Sequence, residues 1–97
     1  MDNPKLDIYT PNEYSPIVET VRKQLQDLLN NFVKEVLLPN NPHSIAKSIQ
    51  YAIARTRNIV AEANASQGAN DRDKERMLTL QTQATNHIFD TILKIKL

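Results

Sequence analysis

The sequence predicts an all-α fold: an antiparallel three-helix bundle over residues 16–97, preceded by a short extended arm over residues 1–15. Three observations predict it. One glycine in 97 residues leaves little material for the turns of a β fold. Apolar residues recur at three-and-four spacing in three separate stretches. Short connectors rich in Pro, Asn and Gly divide those stretches, and short connectors between long helices make antiparallel neighbours. The helices are expected over 16–38, 42–66 and 71–96.

Residues 1–15 are polar, punctuated by proline and net acidic. Thr10, Pro11, Asn12 and Glu13 have the form of a capping box with Pro at the first helical position. Pro16 follows too soon for that turn to run on. The expectation is an extended arm over 1–9 and one turn over 10–14. Arms of this kind are usually disordered tails, and Tyr9 and Tyr14 are side chains by which it could instead dock on a helix or a partner.

Ser15 caps the first helix, with Pro16 at its first position. Its apolar line is Val18, Val21, Leu25, Leu28, Phe32 and Val36. Leu29, Val33 and Leu37 widen it, as suits a helix with two neighbours. Pro39 disfavours helical geometry at Leu38 and ends the helix there.

The central helix, 42–66, organises the bundle. Asn41 can cap it, with Pro42 next. Its apolar line is Ile45, Ile49, Ala52 and Ile53, Ile59 and Val60, then Ala63. Six alanines favour the helix and keep it thin, so neighbours approach closely. Leu25 and Ile53 are both expected in the core. Lys47, Arg55 and Arg57 against Glu62 make this the most basic element.

Gly68 stands where a helix C-terminus wants a left-handed residue. Asn70 then caps the third helix, and Asp73 three residues on completes a capping box. The apolar line is Met77, Leu80, Ala84, Ile88, Ile92 and Ile95. Residues 81–87 are polar-rich, so packing should be thinnest there. The chain closes on Ile92, Leu93, Ile95 and Leu97, an apolar run that suits a protein interface or self-association.

Composition narrows the function. No cysteine means no disulfide framework and no Cys-based zinc site, and it favours an intracellular, cytoplasmic setting. The start of the chain lacks the form of a secretory signal. No apolar run approaches the roughly 18 residues of a membrane span. A net charge of +1 gives no bulk field that would steer nucleic acid.

No catalytic constellation is visible. His43 opens the central helix as a surface residue. His87 and Asp90, three apart on one face, could hold a metal or form an oriented base. They lack a third ligand or a nucleophile, and the plainer reading is a polar pair at the bundle edge. The Arg-polar-x(4–6)-His signature of helical HEPN ribonucleases fits neither histidine. The expectation is a protein that is not an enzyme and uses no metal, cofactor or small-molecule substrate.

Lys47, Tyr51 and Arg55 lie at successive i+4 steps. Such a stripe could set two cations along a phosphate backbone of RNA or single-stranded DNA, with an aromatic between them and Arg57 beside them. The plainer reading is a solvated face with snorkelling side chains. In architecture alone the chain resembles two kinds of small helical protein. One is the small helical subunit of CRISPR surveillance complexes, which lines up along RNA or displaced DNA. The other is the bacteriocin-immunity type of cytosolic bundle, which binds a partner protein. The positive stripe favours the first.

Overall fold

A computed structural model of the chain describes residues 15–37, 42–66 and 69–95. Three helices make it up: α1 (Pro16–Leu37), α2 (Pro42–Ala65) and α3 (Asp71–Leu93). Each touches both others, so the fold is a closed three-helix bundle, 42 × 25 × 16 Å in extent. Residues 28–35 of α1 lie beside 48–52 of α2, and Ile53 and Arg57 of α2 lie beside 81–89 of α3. The helices are about 33–36 Å long and joined by four and five residues, too few to run back along a helix, so successive helices run antiparallel. The expectations for the arm with Tyr9 and Tyr14, for the 38–41 connector, for Gly68 and for Leu97 lie outside the described residues.

The core is one continuous cluster. α1 supplies Val18, Val21, Leu25, Leu29, Phe32 and Val36. From α2 come Ile45, Ala52, Ile59 and Val60, and from α3 Met77, Leu80, Ala84 and Ile88. Two details differ from the sequence reading. Leu29, not Leu28, stands on the central line of α1, and Leu28 is half-buried toward α2. At 3.6 residues per turn, both fit the spacing, and Leu29 falls closer to the direction shared by Val18, Leu25 and Val36. Ile53 is also half-buried, on the rim between α2 and α3.

The α2 line is completed by Thr56, which is fully buried. Its hydroxyl donates to the Ala52 carbonyl at 2.8 Å, so burial strands no polar group. Thr91 does the same at the far end of α3, donating to the His87 carbonyl at 2.8 Å. Among the described residues, every buried side-chain nitrogen and oxygen has a partner.

Helix ends follow local chemistry. At the start of α1 the Glu19 N–H donates to the Ser15 carbonyl at 2.9 Å. The α3 capping box forms as its residues imply. The Asp73 N–H donates to the Asn70 side chain at 2.8 Å, and the Asn70 N–H donates to the Asp73 carboxylate at 3.5 Å. α3 stops at Leu93, three residues short of the expected end. There the Lys94 N–H donates to the Thr91 carbonyl and the Ile95 N–H to the Ile92 carbonyl. These i→i+3 bonds tighten the last turn and satisfy carbonyls that a longer helix would have used.

Candidate functional site

Two shallow grooves flank α2. The first, between α1 and α2, is lined by Leu28, Asn31, Phe32, Glu35, Ser48, Tyr51 and Ala52, with a volume of about 210 Å³. The second, between α2 and α3, is lined by Ile53, Arg57, Gln81, Thr82, Thr85, Asn86 and Phe89, with a volume of about 320 Å³. Ala52 lines the first groove, and its short side chain leaves space between α1 and α2 there.

The basic stripe meets the first groove at Tyr51, which lines it. Lys47 and Tyr51 are exposed and Arg55 is half-buried, one helical turn apart in sequence. Arg55 reaches Glu62 at 3.8 Å, and Glu35 lines the groove beside Tyr51. An exposed pair of this kind adds about 0–1 kcal/mol to stability. Its larger effect is to cancel one of the stripe's cations. Arg57 is not on this side. It sits two residues past Arg55, roughly 160° round the helix, and opens on the second groove. The fold thus brings Lys47, Tyr51 and Arg55 together and sets Arg57 apart from Arg55 and Tyr51.

The second groove is edged by apolar surface. The large apolar side chains left exposed include Leu78 at 58%, Phe89 at 51% and Leu93 at 84%, all on α3. Leu78, Thr82, Thr85 and Phe89 advance by four, three and four residues. They therefore share one flank of α3, about a third of a turn from its core line. Ile92 and Ile95 are half-buried against the core, so among the described residues of the expected apolar terminus Leu93 is the exposed one.

The two threonines matter. Thr82 donates its hydroxyl to the Leu78 carbonyl at 3.0 Å, and Thr85 to the Gln81 carbonyl at 2.9 Å. Each hydroxyl is satisfied within its own helix, which lowers the cost of covering it with a neighbour. A threonine in a helix interior can bond the carbonyl four residues back, and that was the available signal.

Other candidate chemistry is dispersed. His43 is exposed at the start of α2. His87 is half-buried and Asp90 exposed, and no hydrogen bond or ion pair joins them. Among the described residues, no three acidic or histidine side chains are placed to hold a metal ion, and no helix is long and apolar enough to cross a membrane. One close ion pair is local to α1. The Arg22 guanidinium holds Glu19 through two contacts, one of them Nε to the carboxylate at 2.9 Å. That hydrogen bonding lowers the Glu19 pKa; burial opposes it, and the nearby charges of Arg22 and Lys23 add to the lowering.

In comparisons with protein-family models, curated proteins and solved structures, nothing matches this chain.

Proposed function

We propose that the chain is a non-enzymatic protein-interaction module, a small helical subunit whose α2–α3 groove receives a helix from another chain. The observation that carries this reading is the row of exposed apolar side chains on α3, Leu78, Phe89 and Leu93, of which Phe89 lines the groove together with Ile53. A helix in a groove is held by side chains at three-and-four spacing on both partners, and this flank has that spacing. Its polar members, Thr82 and Thr85, are already satisfied. Arg57 and Gln81 stand at the groove as polar groups that can fix orientation. The absence of cysteine agrees with a cytoplasmic setting for such a subunit.

The test is selection of a displayed library of amphipathic helices of about 18 residues, five turns long. The expected result is a set of peptides that bind the native chain and not Phe89→Glu. Peptides that bind both equally, or none at all, contradict the reading.

A second reading rests on a separate observation, the alignment of exposed Lys47 and Tyr51 with Arg55. It makes the chain a subunit on a nucleic acid, in the manner of a CRISPR small subunit, contacting RNA or single-stranded DNA within a larger assembly. Glu62 and Glu35 reduce the stripe's field. The reading therefore requires several copies or a larger complex to line up the contacts. Binding of single-stranded RNA and DNA at about 50 and 200 mM salt decides it. Loss on Lys47→Glu/Arg55→Glu with helicity unchanged supports it, and equal binding by that variant removes it.

A further inference from the structure

We propose that the α1–α2 groove receives one unpaired nucleobase that bears an exocyclic amino group, stacked against Tyr51 and hydrogen-bonded along its edge by Asn31 and Glu35. The proposal deepens the nucleic-acid reading and rests on it.

The groove has the size for a single ring system. Its volume of about 210 Å³ falls below the roughly 300–1,000 Å³ of sites that enclose a drug-sized ligand. That suits one planar base, with its sugar and phosphate left outside.

The walls divide as a base does, into face and edge. Phe32 and Ala52, both buried, and half-buried Leu28 supply the apolar depth of the groove. Tyr51 lines the α2 side and is 62% exposed, so its ring is open to a partner. Every base has a π-face, and stacking on an aromatic ring holds it whatever its identity. The α1 side presents Asn31 and Glu35, both exposed and four residues apart, hence on one flank of α1. The Asn31 carboxamide supplies a donor and an acceptor. The Glu35 carboxylate has about four acceptor sites, so a base edge can bond there without displacing another partner.

Charge decides which part of a strand enters. Glu35 repels phosphate from the groove. Lysines stand outside it, Lys34 on α1 and Lys47 on α2, both exposed. Lys34 lies roughly 60° round from Asn31 and Lys47 roughly 40° round from Tyr51, each away from the groove's depth. Residues 28–35 lie beside 48–52 in antiparallel helices, so the two lysines stand at the same end, one on each rim. A single strand crossing there sets its phosphates toward the lysines and turns its base inward, where the carboxylate rejects negative charge and accepts hydrogen bonds.

Glu35 also sets the choice of base. An acceptor-only group matches the amino groups of adenine, cytosine and guanine. Uracil and thymine carry a carbonyl on each side of their one N–H, and the carboxylate repels both oxygens.

The test is titration of the isotope-labelled 97-residue chain with RNA runs of A, C or U, about eight nucleotides long, at about 50 mM salt. Amide shifts followed to about 1 mM RNA detect weak binding. Shifts are expected at Asn31, Glu35, Ser48 and Tyr51, with A and C runs bound at least about fivefold more tightly than U. Tyr51→Leu keeps an apolar wall without the ring and should weaken all three runs at least about fivefold. Glu35→Gln adds a donor beside the acceptor, so the preference over U should shrink to within about twofold. The lost charge changes all three affinities together and leaves that ratio untouched. Equal binding of the three native runs, a preference unchanged in Glu35→Gln, or native affinity in Tyr51→Leu overturns the proposal. Binding lost in Lys47→Glu/Arg55→Glu but equal for A, C and U leaves the nucleic-acid reading standing without the base site. No shift with any run overturns both.

Discussion

Leu25→Ala tests the assignment of core and surface. Leu25 is fully buried at the middle of α1, the helix that touches both others. The change removes three carbons, worth about 0.8 kcal/mol each on burial, or roughly 2.4 kcal/mol. A residual void of about 30–60 Å³ adds about 1 kcal/mol at roughly 24 cal/mol per Å³. The expected loss is about 3 kcal/mol. A chain of this length has about 5–15 kcal/mol of stability in total, so the variant should still fold. Urea unfolding followed by circular dichroism should show the midpoint falling by about 2 M, given a slope near 1.5 kcal/mol per molar. Leu78→Ala deletes the same atoms from a side chain that is 58% exposed, and should cost under about 0.5 kcal/mol. A Leu25→Ala loss below about 0.5 kcal/mol, or equal losses at the two sites, would refute the reasoning.

Three further outcomes are expected. Asn70→Ala removes the acceptor for the Asp73 N–H and should lower stability by about 0.5–2 kcal/mol, read from the same urea curves. Thr56→Val exchanges a buried hydroxyl for a methyl. The Ala52 carbonyl keeps its backbone partner, so stability should stay within about 1 kcal/mol of native, whereas Thr56→Ala should lose more. Glu19 has a folded pKa below its ordinary 4.5, so its contribution is present above that pH and lost as pH falls through the lower folded value. Glu19→Gln should therefore flatten the acid side of the stability–pH curve, and an unchanged slope there would count against the Arg22 pairing.

The legible parts of this fold were local. Asn70 and Asp73 could be read as a capping box because both partners lie within one turn. The apolar lines of Val18 to Val36 and Met77 to Ile88 were readable from spacing, since core position follows helical phase. What spacing could not decide was rank within a line. Leu28 against Leu29, and Ile53 against Thr56, depend on where the third helix lies, which no single helix encodes. The stripe of Lys47, Tyr51 and Arg55 was readable by the same phase rule, but Arg57 was grouped with it by nearness in sequence. Two residues along a helix is nearly the opposite side. Thr82 and Thr85 read as polar in the sequence, and their bonds to the Leu78 and Gln81 carbonyls show only in the folded helix. The end of α3 at Leu93 was equally hidden, since nothing in the closing residues is a helix breaker.

The most direct measurement of the central claim is amide chemical-shift mapping of the isotope-labelled chain, titrated with a helix selected for binding. Shifts should centre on Ile53, Arg57, Thr82, Thr85 and Phe89, the residues of the α2–α3 groove. They should leave Ser48 and Tyr51 in the α1–α2 groove unmoved. Shifts concentrated at Lys47, Ser48 and Tyr51, with Thr82 to Phe89 silent, would contradict the claim and place the working surface on the other side of α2.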